Sequence, residues 1–181
     1  MNIGFDLDGI FIDKPPFVPK VIIERLYKKK NGAIKYRIPG RFEQIVRKIS
    51  HAKLFRPAIK QNIKYLHKIH KFNSHRCYLI SGRFGFIQKQ TDHILNAYKI
   101  SNVFYKRCVN LQSKQPHLFK NEMLKKLKIK KFVDDDLDLL IFLSKKNPSI
   151  TFYWLNEKEN KKLSKNLFAI KNLQNILKRN I

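Results

Sequence analysis

The chain opens on Ile3-Gly4-Phe5-Asp6-Leu7-Asp8-Gly9, an apolar run that ends in two carboxylates spaced by one residue and then a glycine. A run this short and this apolar reads as a buried strand. Comparable runs recur at 77–80, 103–105, 131–133 and 150–154, each rich in β-branched or aromatic residues. Between them apolar residues fall at helical spacing. Ile59, Ile63, Leu66 and Ile69 follow Pro57, and Phe86, Ile87, Ile94, Leu95 and Tyr98 mark a second helix. Leu118, Met123, Leu124 and Leu127 mark a third, with Pro116 suited to its first turn. Leu163, Leu167, Ile170, Leu173 and Ile176 predict a closing helix over 157–178. Strands alternating with helices imply βαβ units and a parallel sheet, hence an α/β fold.

One stretch breaks this rhythm. From Lys14 to Ala52 there is no strand–helix pair, but there are Pro15, Pro16, Pro19, Gly32, Pro39 and Gly40. Apolar residues at 21–23 and Leu26 precede the run Lys28-Lys29-Lys30, and Phe42, Ile45, Val46 and Ile49 follow it. The segment 14–52 reads as two short helices joined by a basic loop, inserted into a core formed by 1–13 and 53–181. It is too short to be an independent domain.

Chemistry concentrates where the apolar runs end. In an open α/β sheet ligands gather at the carboxyl ends of strands, and Asp6 and Asp8 lie at such an end. A solvated turn is the plain alternative. A calcium loop is disfavoured, because Ile10, Phe11 and Ile12 stand where further acids are needed. Cys77-Tyr78-Leu79-Ile80-Ser81-Gly82-Arg83 is a second apolar run, closed by a hydroxyl and a glycine. Such a corner binds phosphate at a helix entrance, or Ser81 merely caps the helix. Phe132-Val133-Asp134-Asp135-Asp136-Leu137-Asp138 again ends in carboxylates. Acids crowded together repel unless a cation lies among them, and an all-oxygen donor set suits Mg²⁺. Lys120 stands roughly one helix upstream of them.

Taken in order, these motifs resemble the four motifs of the haloacid dehalogenase superfamily, and the resemblance covers 2–154. It implies a three-layer Rossmannoid parallel sheet flanked by helices, with a small helical cap at 14–52. It implies Asp6 as nucleophile on phosphorus and Asp8 as general acid/base, whose backbone carbonyl helps to hold Mg²⁺. Ser81, with Gly82, would bind the transferring phosphoryl group, and Arg83 would meet a substrate phosphate or carboxylate. The family lysine maps to Lys120, with Lys114 the weaker candidate. Asp135 would bind the metal with Asp134 beside it, and Asp138 could substitute. The presence of Asp8 points to a phosphatase rather than a carbon–halogen hydrolase. Ile10 departs from the threonine that many members carry.

Composition frames the partners. The 181 residues include 39 Lys and Arg against 13 Asp and Glu, a formal net charge of +26. Such a field draws polyanions, so nucleic acid joins small phosphorylated substrates, nucleotides among them, as a candidate partner. The abundance of Lys, Asn and Ile together fits A/T-rich codon usage equally well. A polynucleotide end-processing phosphatase and a non-catalytic basic nucleic-acid-binding module are the competing readings. Cys77 and Cys108 lie far apart without CxxC spacing, which fits a reducing cytoplasm and excludes a disulfide framework. The sequence shows no leader pattern and no apolar run long enough to span a bilayer, so no membrane association is expected.

Overall fold

Strand β1 (Asn2–Phe5) is followed by β2 (Arg76–Phe84), β3 (Lys106–Asn110), β4 (Lys131–Asp134), β5 (Thr151–Leu155), β6 (Lys161–Lys162) and β7 (Leu167–Ile170). The computed structural model describes residues 1–15, 36, 39–71, 75–156 and 160–177. The strands form one sheet in the order β3-β2-β1-β4-β5-β7-β6. Every pairing is parallel except β6 with β7. From β1 the chain builds outward through β2 and β3, then returns to the other side of β1 with β4. The order therefore reverses beside β1, the switch point at which doubly wound sheets open a crevice.

Five α-helices accompany the sheet among the described residues: α1 (Arg41–Ser50), α2 (Lys60–Lys71), α3 (Gln88–Ala97), α4 (Pro116–Lys126) and α5 (Leu137–Lys146). Strand alternation divides the apolar residues between two faces. Ile3, Phe5, Cys77, Leu79 and Val133 pack with Leu66 and Ile69 of α2 and Ile94 and Leu95 of α3. Tyr78, Ile80, Phe132 and Phe152 pack with Phe119 and Leu124 of α4 and with Leu139, Leu140 and Leu143 of α5. The result is the expected three-layer Rossmannoid α/β arrangement. Gly4 faces the second layer, where an added Cβ would lie 2.9 Å from Phe132 Cδ2. Only a residue without a side chain lets that ring cross the central strand.

The sequence expectation fails in three places. The strand expected at 103–105 is displaced: Val103 ends a 3₁₀ turn over Ser101–Val103, and β3 starts at Lys106. Val103 and Phe104 are buried beneath the sheet, while edge strand β3 begins with exposed Lys106 and Arg107. The closing helix over 157–178 does not form. Strands β6 and β7 and a 3₁₀ turn, Leu173–Ile176, replace it. The leucines there fit both periods, and Leu167-Phe168-Ala169-Ile170 is a continuous apolar run that pairs with β5. Asn166 anchors it, its amide donating to the carbonyls of Ser144, Asn147 and Ile150 at 3.0–3.2 Å. Helix α5 is absent from the reading because Leu137 to Leu143 is almost wholly apolar and shows no stripe.

The inserted segment leaves and re-enters the core at one point. Asp13 N–H donates to the Pro57 carbonyl at 2.8 Å, and Ile59 N–H donates to the Phe11 carbonyl at 2.9 Å. Of the two short helices expected in 14–52, the second is α1; the first, near 21–26, and the basic loop at 28–30 lie outside the described residues. Cys77 and Cys108 are buried free thiols. No helix among the described residues is long and apolar enough to cross a membrane.

Phe132 is fully buried and meets Phe152 edge-on at 6.3 Å. Phe132→Ala is expected to lower the unfolding free energy by about 3–5 kcal/mol, read from the urea midpoint.

Candidate active site

The ladder between β1 and β4 continues one step past Phe5, where Asp6 N–H donates to the Val133 carbonyl at 2.9 Å. Phe5 is level with Val133, so Asp6 and Asp134 emerge side by side. Both are buried, and Lys120 of α4 reaches between them. Its Nζ lies 3.0 Å from Asp6 Oδ1 and 2.7 Å from Asp134 Oδ2. Burial works against charge on Lys120, but Asp134 and then Asp6 outweigh it and hold the ammonium protonated. Burial pushes the Asp6 carboxyl up to about 6; Lys120 opposes the rise, and Asp8 and Asp135 add to it. Asp134 is raised for the same reason, burial, against the same lysine.

Asp8 meets the opposite environment. After Asp6 the chain closes into a tight loop, with Gly9 N–H bonded to the Ile12 carbonyl at 2.8 Å and Phe11 N–H to the Leu7 carbonyl at 3.0 Å. Leu7, Ile10, Phe11 and Ile12 are fully buried and fix this loop. Asp8 is thereby turned toward two arginines. Arg83 grips it with a fork, Nε to Oδ2 at 2.7 Å and Nη2 to Oδ1 at 2.7 Å. Arg56 Nη1 adds a contact to Oδ1 at 3.3 Å. Burial alone would raise its proton affinity, but the charge and hydrogen bonds of Arg83, then Arg56, drive it far below the usual carboxylate range.

Arg56 is itself held by His51. His51 Nδ1 lies 2.8 Å from the Arg47 carbonyl, which can only accept, so Nδ1 carries the proton. Nε2 is then free to accept from Arg56 Nη2 at 3.1 Å. Burial, followed by the Arg83 and Arg56 charges, lowers the His51 pKa to about 3, so the ring is neutral.

Asp135 completes an acidic group. Asp6, Asp134 and Asp135 each offer an oxygen, all within 4.8 Å of one another. Asp6 Oδ1 is buried beside the Lys120 ammonium at 3.0 Å. A buried carboxylate oxygen with a lone pair to spare, in an all-carboxylate set, fits a hard divalent cation such as Mg²⁺. The Asp135 backbone is steadied by Trp154, whose Nε1–H donates to its carbonyl at 3.1 Å. Gly9 has φ +72°, and an added Cβ would lie 2.3 Å from Asp135 Cγ, so only glycine lets this carboxylate approach.

These groups line a pocket of about 320 Å³ together with Ser81, Gly82, Arg83 and Asp138. Ser81 is almost fully buried, and its Oγ accepts from Arg83 N–H at 3.3 Å. All the candidates named from the sequence therefore converge, apart from Lys114, which pairs with Glu122 at 2.7 Å on the surface. Asp136 caps α5, its Oδ1 accepting from Leu139 N–H at 3.3 Å. Four further pocket residues, three from the 14–52 segment and Arg56 just after it, are not among the candidates named from the sequence. Lys14 pairs with Asp135 at 3.0 Å, and Arg47, His51 and Arg56 form the wall beside Asp8. No spacing rule marks them. The one available signal is Arg56-Pro57, the point at which the insertion rejoins the core. Tyr36 donates its hydroxyl to Asp136 at 3.0 Å, and its backbone pairs with the Gln115 amide at 2.8 and 3.0 Å.

No family model matches the sequence, and no curated protein matches it. Solved structures do. The chain is similar to the putative hydrolase YfnB of Bacillus subtilis, a haloacid dehalogenase-type protein bound to magnesium, at a TM-score of 0.61 and 10% identity over 97% of this chain and 96% of that one. It is similar to bt-2542 of Bacteroides thetaiotaomicron, a variant in complex with magnesium and inorganic phosphate, at 0.56 and 14% over 87% and 95%. It is also similar to β-phosphoglucomutase of Pyrococcus sp., at 0.56 and 14% over 96% and 93%. The chain has the haloacid dehalogenase-like hydrolase fold.

Two outcomes test this electrostatic arrangement. Lys120→Met leaves two buried carboxylates without their shared cation and is expected to cost about 3–5 kcal/mol of stability, part of it recovered by millimolar Mg²⁺ in thermal melts. His51 is neutral in the fold, while the unfolded chain takes up a proton as pH falls through about 6.5. Acid therefore favours unfolding, and the stability advantage of the wild type over His51→Gln should shrink by about 2–3 kcal/mol between pH 7 and 4.5.

Proposed function

We propose that this chain is a Mg²⁺-dependent phosphatase that hydrolyses a phosphomonoester through an aspartyl-phosphate on Asp6. The observation that carries the reading is the meeting of Asp6, Asp8, Ser81, Lys120, Asp134 and Asp135 in one pocket at the carboxyl ends of β1, β2 and β4.

A carboxylate oxygen of Asp6 attacks phosphorus, an Asp6 O–P bond forms, and the bond from phosphorus to the leaving oxygen breaks. Once its contacts with Arg83 and Arg56 are released, Asp8 takes up a proton from solvent and passes it to that oxygen. Water then attacks the aspartyl-phosphate, gives its proton to Asp8, and releases inorganic phosphate with Asp6 restored. Lys120 offsets the negative charge brought together by carboxylate and phosphate, and its contact with Asp134 fixes its direction. The Ser81 hydroxyl and the Gly82 backbone hold phosphoryl oxygens. Asp6, Asp134 and Asp135, with the Asp8 carbonyl, would hold Mg²⁺, which supplies charge neutralisation at the phosphoryl group.

Nucleotides are the substrates we place first. The specific observation favouring a polynucleotide end instead is charge segregation. Six of the 13 acidic residues line the pocket, so few remain to balance the lysines and arginines elsewhere on the chain. Two free thiols are consistent with work in a reducing cytoplasm.

Release of phosphate from an aryl phosphate should require Mg²⁺ and fall at least about 10³-fold in Asp6→Asn. Turnover that survives this substitution would remove Asp6 as the nucleophile. Salt-sensitive binding of single-stranded RNA or DNA with no turnover of any phosphomonoester would favour a basic binding module.

A further inference from the structure

Asp8 must reach the oxygen that leaves phosphorus, yet both of its carboxylate oxygens are engaged. Arg83 takes Oδ1 and Oδ2 at 2.7 Å each, and Arg56 shares Oδ1 at 3.3 Å. To turn toward a leaving group, Asp8 has to give up at least one of these contacts.

The arginines cannot simply follow solvent. The Arg83 side chain is 3% exposed and that of Arg56 7% exposed. Each is fastened from behind: Arg83 Nη1 donates to Thr91 at 3.0 Å, and Arg56 donates to the Ser50 carbonyl at 3.0 Å and to His51. A guanidinium held in place, buried and stripped of its carboxylate is costly unless another anion takes over. The planar fork of Arg83 matches a phosphate or carboxylate in the same bidentate geometry. His51 cannot act as that anion's competitor, since it is neutral and accepts from Arg56. Arg47 adds a third buried guanidinium to the same wall, facing Glu43 at 2.6 Å.

We propose that Arg56 and Arg83 form a subsite for a second anionic group, carried by the substrate on the leaving side of its phosphomonoester. The substrate class is thus a phosphomonoester that bears a further phosphate, either a small bisphosphate or the end of a phosphorylated oligonucleotide. When the second anion docks on the two arginines, Asp8 is freed to turn to the leaving oxygen. This inference rests on the phosphatase reading and narrows it. The buried forks reach the substrate by exchanging one carboxylate for another anion, so their charge stays compensated.

The test compares an aryl phosphate, a nucleoside 3′-monophosphate, a nucleoside 3′,5′-bisphosphate and a 3′-phosphorylated oligonucleotide, all with Mg²⁺. The second anion is expected to raise kcat/KM about 30-fold or more over the monophosphate, and Arg56→Gln to shrink that preference below about 3-fold. A gain with the bisphosphate alone identifies a small-molecule substrate, and a gain confined to the oligonucleotide identifies a polynucleotide end. Equal kcat/KM for one anion and two, or a preference untouched by Arg56→Gln, would overturn the subsite. Calorimetry on Asp6→Asn separates this failure from that of the phosphatase reading, because it reads binding without turnover. Tighter binding of the bisphosphate than the monophosphate, weakened by Arg56→Gln, supports the subsite even if no phosphate is released. Equal binding removes it.

Discussion

The structure depends on one ammonium group shared by two buried carboxylates. Parallel pairing of β1 with β4 forces Asp6 and Asp134 to emerge together, and two acids there repel each other unless a cation is built in. Lys120 supplies it from α4, and α4 can deliver it only because Phe119 and Leu124 seat that helix on the sheet. Register, helix packing and charge are thus one constraint. A shift of β4 by one residue would send Asp134 to the other face of the sheet and leave Lys120 without its nearest partner.

Two residues apart, Asp6 and Asp8 are pushed in opposite directions. The first is held among carboxylates and one lysine, the second between two arginines. Divergent environments for neighbouring carboxylates are how one site separates a nucleophile from an acid/base. The separation is made by backbone rather than by side-chain choice, since the buried loop from Leu7 to Ile12 turns Asp8 toward the wall that the insertion builds. The insertion also reaches the acidic side, through Tyr36 on Asp136 and Lys14 on Asp135. Its described residues therefore touch both halves of the pocket, and its two ends meet where Asp13 N–H donates to the Pro57 carbonyl.

Much of this was legible in the sequence. The strands that carry the site announced themselves because they are buried on both faces and so read as unbroken apolar runs, and Asp6, Ser81 and Asp134 each stand directly after such a run, although β2 continues past Ser81 to Phe84. Lys120 was legible only through its distance from the acidic run, and its ion pairs needed three dimensions. The tail misled because Leu163, Leu167 and Ile170 suit a helix, whereas the decisive contacts of β7 are with β5 and with Asn166. The arginine wall was illegible for a different reason. In a chain so rich in basic residues, a buried arginine looks like any other until its carboxylate is known, and the carboxylate of Arg56 lies 48 positions away in Asp8.

The two outer strands of the sheet share a property that bears on the molecule's life in a crowded solution. β3 starts with exposed Lys106 and Arg107, and β6 consists of exposed Lys161 and Lys162. An open sheet edge presents unpaired amides and carbonyls that invite a strand from another molecule, and such encounters seed aggregates. Two copies approaching edge to edge here bring like charges into register before any backbone pairing can form. The surplus of basic residues thus acts as a guard at both margins, keeping a largely apolar parallel sheet from growing beyond its own chain.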